Sequence, residues 1–529
     1  MNKAFKAIWS DVRQSFVTTS EIQSSHGKRS KASVSLSVAT VLLATSGLVS
    51  AAYVETGTLG DKASWETAEY NYNWGLGAMN ASSAYALGFY GQNTTTGVMD
   101  SGAWLGNPDL DTPRITATHV TGVYDSSGNR YPQSIYATIQ KGVVPTAAEG
   151  QPFTEGEEFD VKGDYTLGLN DAHGTQVTGV IGAERNGEYG HGVAFKANVV
   201  VGNTGATDNN NYGPFQDYNY YFKGYKALAD AVNAGNGEYR GGMVNNSYGT
   251  NTKIYSSGGH RLTPDEMSEL LAGSGNYDRA SAAYAVTFSG DYSFLGLNDV
   301  PGADQYSTNP SAFEWEYMYF KLKYGDKPSF LDGAYDAVKG TNVILSWAAG
   351  NQDRGTPYLK GLYPYFHPEA EKNWLNAVGV MQTRGDNDQY MQATYCKAGL
   401  AKWWSMSGPT AYPGIGTTYV TTDLENGRLT TTGFNGTSAS DPQISGAFTV
   451  LQSRYPSMTA IQVKDVMYTT ASHIGANGQP FTNWTAAEGT PDVIYGWGMP
   501  DLEKGMYGPG QFLDHFEYRL SEPLDVWSN

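Results

Sequence analysis

The chain has little cysteine, little charge and no long uninterrupted apolar run. A single Cys, Cys396, stands in 529 residues, which excludes an intrachain disulfide framework and any cysteine-based zinc site. Charged residues make up only 16%, and 34 Lys+Arg face 52 Asp+Glu for a formal net charge of −18. That balance argues against nucleic acid as the main partner, because phosphate binding needs basic patches. A mean hydropathy of −0.43 excludes a polytopic membrane protein. What is abundant is glycine and tyrosine, 64 and 38 residues, a loop-rich composition of extracellular style. At about 100–200 residues per domain, the length allows one large domain with extensions or two to four smaller ones.

The N-terminus reads as an export signal. His26-Gly27-Lys28-Arg29-Ser30-Lys31 is a basic run, residues 34–49 are apolar or small without charge, and Val49-Ser50-Ala51 has the small residues of a cleavage site. The apolar stretch is too short and too interrupted by Ser and Thr for a membrane span. Cleavage is therefore expected after Ala51, with an uncleaved anchor as the other reading. Residues 1–51 carry six basic and two acidic side chains, a net of +4, which leaves −22 for the remainder. The segment ahead of the basic run, Met1-Asn2-Lys3-Ala4-Phe5-Lys6-Ala7-Ile8-Trp9-Ser10 onward, resembles the extended signal of type V (autotransporter) passengers of Gram-negative bacteria. That resemblance implies export to the cell surface, the medium or the periplasm, with the export machinery and a downstream β-barrel translocator as partners.

Beyond the signal, short apolar runs bounded by turn residues read as buried parallel strands. They are Gly97-Val98-Met99, Asn198-Val199-Val200-Val201-Gly202, Met243-Val244-Asn245 and Asn342-Val343-Ile344-Leu345-Ser346-Trp347. Helical spacing lies between them at residues 225–234 and 331–338. This rhythm predicts an α/β fold, a three-layer sandwich with a central, mostly parallel sheet. Ligands gather at the carboxyl ends of such strands.

Three junctions there carry chemistry. Met99-Asp100-Ser101-Gly102 leaves a carboxylate at a strand end. Asp171-Ala172-His173-Gly174-Thr175 opens a helix with Val177, Val180 and Ile181 inward. Asn435-Gly436-Thr437-Ser438-Ala439-Ser440-Asp441-Pro442 opens another, with Ile444, Ala447, Phe448 and Leu451 as its stripe. A serine hydroxyl becomes a nucleophile when an imidazole takes its proton and a carboxylate fixes the imidazole tautomer. Asn351, after Ala348-Ala349-Gly350, supplies a side-chain amide for a developing oxyanion, together with the Ser438 backbone N–H. Each motif alone is weak; Asp-Ser-Gly is usually a turn and His-Gly-Thr a helix start. All of them in the order Asp, His, Asn, Ser point to acyl transfer.

At these residues the chain resembles the subtilases, the subtilisin-like serine peptidases, from about Trp74 to Leu502. The resemblance extends to Asn73-Trp74-Gly75-Leu76-Gly77, Gly190-His191-Gly192-Val193-Ala194 and Tyr495-Gly496-Trp497-Gly498-Met499-Pro500-Asp501. It implies a secreted endopeptidase with Ser438 as nucleophile, His173 as base, Asp100 as orienting acid and Asn351 as oxyanion donor. It also implies that an extended peptide or protein substrate pairs with Asn246, Ser247, Tyr248 and Gly249, and that Ala348, Ala349 and Gly350 line the primary specificity pocket. No cofactor is required for this chemistry. The usual Ser-Met-Ala-x-Pro is here Ser438-Ala439-Ser440-Asp441-Pro442, a departure expected to slow turnover or shift a neighbour. Tyr248 is expected to narrow the cleft. The alternative is a weak or dead subtilase scaffold serving as a surface adhesin or binding module. An α/β-hydrolase esterase is disfavoured, because Gly-x-Ser-x-Gly is missing and the serine comes last of the three groups instead of first.

The remaining histidines take bland readings. His191 is structural, and His260, His367 and His473 lack metal-ligand company, so no metal ligand is assigned. Asp208-Asn209-Asn210-Asn211 and Asp386-Asn387-Asp388 have the oxygen ligands calcium prefers; structural calcium stays open beside their reading as solvated turns. Cys396 reads as a small buried hydrophobe.

The expected organisation is an extended signal at 1–51, a short segment at 52–64, a peptidase domain at 65–510 and a tail at 511–529. Insertions are expected at about 111–163 and 250–327. In the second, Tyr284, Phe288, Tyr292 and Phe294 suggest a hairpin or a substrate platform. The dozen or so residues after Ala51 are expected to be too few for a folded inhibitory propeptide, and the 27 after Leu502 too few for a transmembrane barrel, so a passenger fragment is expected.

Overall fold

The computed structural model describes residues 5–10, 15–20, 53–126, 128–129, 152–164, 173–188, 190–204, 217–248, 328–351, 355–382, 390–392, 395–410, 417–423, 428–475 and 477–509. Eight strands form its central sheet. They are β1 (Thr95–Asp100), β2 (Ile115–Ala117), β3 (Asn198–Asn203), β4 (Met243–Asn246), β5 (Ile344–Ala348), β6 (Trp374–Gln382), β7 (Tyr390–Gln392) and β8 (Ser405–Pro409). Their order is β7-β6-β5-β4-β1-β3-β2, with β8 also paired to β6. Every pairing is parallel except that of β6 with β7.

Among the described residues, the helices of eight or more residues that flank the sheet are α1 (His173–Gly182), α2 (Tyr218–Asn236), α3 (Phe330–Val338), α4 (Leu359–Phe366), α5 (Thr437–Arg454) and α6 (Ala460–Thr469). Side-chain alternation along the strands assigns the helices to two faces. Met243 and Ile344 join Ile444, Ala447, Phe448 and Leu451 of α5, whereas Val244 and Leu345 join Leu228 and Val232 of α2 and Ala334 and Val338 of α3. Likewise Val98 packs with Val177, Val180 and Ile181 of α1, and Met99 with the α2 side. Both faces of β1, β4 and β5 are thus covered, as the continuous apolar runs require, and burying each Leu, Ile or Phe there contributes about 1.5–3 kcal/mol. The result is the expected α/β three-layer architecture.

Local chemistry fixes the helix starts. Ser329 accepts from the Asp332 N–H while the Asp332 carboxylate accepts from the Ser329 N–H at 2.6 Å, a capping box for α3. Helix α2 begins at Tyr218, ahead of the expected 225, because the Asp217 carboxylate accepts from the Tyr220 N–H at 2.9 Å.

The chain runs from β1 through α1 to β3 on one side, then through α2 to β4 on the other side of β1. That reversal opens a crevice at the carboxyl ends of the strands, where Asp100 and Asn246 lie. Ile115–Ala117, inside the segment expected to be an insertion, instead adds the edge strand β2. Its backbone pairs with β3 at Val199–Val201 and Ile115 joins the α1 core. Antiparallel pairing of His119–Val123 with Glu158–Lys162 follows. In the N-terminal segment, Phe5–Ser10 pairs with Ser15–Ser20. The expected insertion at 250–327, with its four aromatic residues, and the tail at 511–529 lie outside the described residues, as do Asp208–Asn211, Asp386–Asp388 and His260.

Candidate active site

Asp100 ends β1 with its side chain fully buried. One carboxylate oxygen accepts from His173 Nδ1 at 2.8 Å and from the Ser101 N–H at 2.8 Å. A carboxylate oxygen can only accept, so Nδ1 carries a proton and Nε2 is the ring nitrogen turned away from Asp100. The approach of α1 to this strand end depends on Gly174. A Cβ there would lie 2.0 Å from the Gly102 carbonyl oxygen, and the Gly174 N–H instead reaches Ser101 Oγ at 2.9 Å. The His173 side chain, 17% exposed, meets Phe434 edge-on at 5.5 Å.

Helix α5 packs against α1, with Ala439 in the same apolar cluster as Val177 and Val180. Gly436 caps α5 at φ 87°, and a side chain there would meet Asn351 Nδ2 at 2.9 Å. Ser438 is buried, and its hydroxyl donates to the Ser247 carbonyl oxygen at 2.6 Å. The Ser438 N–H belongs to the first helical turn, whose N–H groups have no partner within the helix. Asn351 is exposed, yet its Oδ1 is held by the Thr437 N–H at 2.8 Å and Thr437 Oγ1 at 2.9 Å. These bonds turn the Oδ1 end of the amide toward the start of α5. The Gly350 N–H donates to the same Thr437 hydroxyl at 3.1 Å.

Ala348 and Ala349 are buried and continue β5 toward Gly350. Asn246 and Ser247 are buried at the end of β4; Gly249 lies outside the described residues. Tyr248, expected to narrow the cleft, is turned inward instead. It is 2% exposed, its hydroxyl pairs with that of Tyr225 at 2.6 Å, and its ring packs across Trp347. A polar tip with a buried partner favours this inward packing.

The other histidines differ from His173. His191 is fully buried, and its pKa is pushed down to about 3, first by burial, with the nearby Arg185 charge acting in the same direction. Its Nδ1 donates to the Gly192 carbonyl at 2.8 Å, and its Nε2 accepts from Arg185 Nη1 at 3.1 Å, so it is a neutral structural ring. His473 stacks on Trp484 and His367 on Tyr363. Cys396 is buried, and its N–H donates to the Gly350 carbonyl at 3.0 Å.

One neighbour of the site escaped the sequence reading: Asp441, three residues past Ser438. Its carboxyl is fully buried and accepts from Ser346 Oγ and, at 3.3 Å, from the Asn246 N–H. Burial pushes its pKa up to about 7 against the pull of these donors, and the Asp100 charge adds to the rise. The only sequence signal was a charge just past the first turn of a helix that is otherwise apolar or uncharged along its buried side.

A mostly parallel sheet with an Asp–His pair at its carboxyl edge, and the helix that carries Ser438 near its N-terminus packed on the His173 helix, is a subtilisin-like α/β arrangement. Residues 91–498 match the subtilase family (Peptidase S8), and the chain belongs to it. Residues 1–50 match the extended signal peptide of the type V secretion system, which marks the chain for export. It is 32% identical over 193 residues to serotype-specific antigen 1 of Mannheimia haemolytica, covering 36% of this chain and 18% of that one. It is 25% identical over 482 residues to an extracellular serine protease of Serratia marcescens, covering 88% of this chain and 36% of that protein. The chain thus spans well under half the length of these relatives. Among solved structures, a serine protease of Aeromonas sobria aligns with a TM-score of 0.42 at 17% identity, covering 85% of this chain and 68% of that one.

Proposed function

We propose that the chain is the peptidase portion of an exported serine endopeptidase that cleaves extended peptide segments through an acyl-enzyme. The observation that carries this reading is the 2.8 Å bond between His173 Nδ1 and the buried Asp100 carboxylate, which leaves Nε2 as base toward the neighbouring α5. In this reading the Ser438 hydroxyl turns from the Ser247 carbonyl to His173 Nε2 and gives up its proton as its oxygen attacks the substrate carbonyl. The oxyanion is received by Asn351 Nδ2 and the Ser438 N–H. His173 then returns the proton to the leaving amine, and water, activated by the same imidazole, hydrolyses the ester. The substrate backbone lies along Asn246, Ser247, Tyr248 and Gly249, with its specificity side chain toward Ala348, Ala349 and Gly350. No step requires a cofactor.

The route outward is the type V pathway, with the export machinery and a β-barrel translocator as partners, and the place of action is the cell surface or medium of a Gram-negative bacterium. The test is hydrolysis of unfolded casein by the chain lacking its signal, compared with Ser438→Ala. The reading expects cleavage that vanishes in the variant; equal rates in the two would overturn it and leave the binding-module reading.

A further inference from the structure

Resting on the peptidase reading, we infer that Asp441 is a positioning residue whose buried carboxyl ties the nucleophile's helix to the end of strand β4 and sets the basicity of His173 from a distance. Its carboxyl and the Ser438 hydroxyl hold two successive residues at the end of β4, Asn246 and Ser247. The Asn246 N–H donates to Asp441 Oδ2 at 3.3 Å. The Ser247 carbonyl in turn receives the Ser438 hydroxyl at 2.6 Å. Ser346 Oγ anchors the second oxygen to β5, two residues before Ala348.

The ionisable groups around this carboxyl come from several elements. Strand β1 contributes Asp100, whose charge opposes that of Asp441, and α1 contributes His173 through its bond to Asp100. From α2, Tyr225 feels the Asp441 charge and donates to Asn246 Oδ1 at 2.7 Å; beyond it lies Tyr248. Strand β5 offers the Ser346 hydroxyl. Negative charges on Asp441 and Asp100 oppose each other in this dry site. A negative Asp441 favours the imidazolium and raises the basicity of His173, so removing that charge must lower it.

The test is Asp441→Asn in the full chain, which keeps the shape and one acceptor but no charge. The first readout is the titration of ¹⁵N-labelled His173 by NMR. The expected result is a midpoint lower than wild type by about half a pH unit or more. The acid limb of kcat/KM should move by the same amount. Asp441→Ala, which also loses the tie, should cut kcat about tenfold or more, with Asn restoring most of it. A His173 midpoint identical in wild type and Asp441→Asn overturns the inference. Should that variant fail to fold, reciprocity supplies a second measurement with Asp441 intact: in His173→Gln, which removes the imidazolium, its carboxyl must titrate at higher pH, and an unmoved carboxyl overturns the inference equally. Neither titration needs turnover, so a chain without Ser438-dependent cleavage would sink the peptidase reading separately.

Discussion

Replacing Asp100 by Asn should disable the proposed base without unfolding the protein. In the wild-type chain one carboxylate oxygen receives both the His173 Nδ1 proton and the Ser101 N–H, each at 2.8 Å. An amide oxygen in that position can keep both bonds, so what is removed is the charge. Asp100 is fully buried and His173 only 17% exposed, so solvent screens the pair weakly. At an effective dielectric of about 20, a carboxylate about 4 Å from an imidazolium contributes about 4 kcal/mol. Lost from the transition state alone, that is about a 10³-fold fall in kcat. KM should stay nearly constant, because the substrate does not touch this carboxylate. The acid limb of the pH profile should move to lower pH, since an imidazole without its carboxylate is a weaker base. The assay is steady-state hydrolysis of a peptide substrate from pH 5 to 9, with a thermal melt beside it. A folded variant whose kcat lies within about tenfold of wild type, with an unmoved profile, would refute the reasoning.

Asn351→Ala should lower kcat about 10²–10³-fold with little change in KM, because only the oxyanion gains from the Nδ2 donor; a pure KM effect would contradict that role. Gly174→Ala should abolish turnover, since the new Cβ would lie 2.0 Å from the Gly102 carbonyl and must push α1 off the end of β1; wild-type rates in that variant would refute the packing account. Burial holds the folded-state pKa of His191 down at about 3, below its unfolded value. Its contribution to stability is therefore present above about pH 6.5 and is lost as pH falls toward 3, with a slope of up to about 1.4 kcal/mol per pH unit. Denaturant titrations should show that portion of the acid loss missing in His191→Gln, and parallel curves for the two proteins would contradict it.

The sequence announced much of this fold because buried parallel strands leave a continuous apolar signature. Residues 97–99, 198–202, 243–245 and 342–347 all fall within or across observed strands of the sheet. Strand β6 escaped notice although it is buried nearly throughout. Asn376 interrupts its apolar run, and only the fold supplies the amide's partner, Ser405 Oγ at 2.8 Å. Strand β2 has three residues, too few for any periodicity. The first turns of α2 are aromatic and weakly helix-forming; they are held by the Asp217 cap and by Tyr221 packed on Phe330.

The candidate site was legible for a different reason. Each proposed catalytic group sits next to a residue whose local geometry is constrained: Asp100 before Gly102, His173 before Gly174, and Ser438 after Gly436. Asp441 was not legible, because a carboxylate near a helix N-terminus is ordinarily a solvated charge favoured by the helix dipole. Its importance follows from complete burial, which no local pattern reveals. The inward turn of Tyr248 likewise depends on Tyr225, on another element of the fold.

The most direct measurement is the covalent trapping of the nucleophile. The chain is treated with a serine-reactive fluorophosphonate and the modified peptide is located by mass spectrometry. The account predicts one adduct, on Ser438, formed in wild type and abolished in His173→Ala. No adduct, or one on another serine that persists without His173, would contradict it.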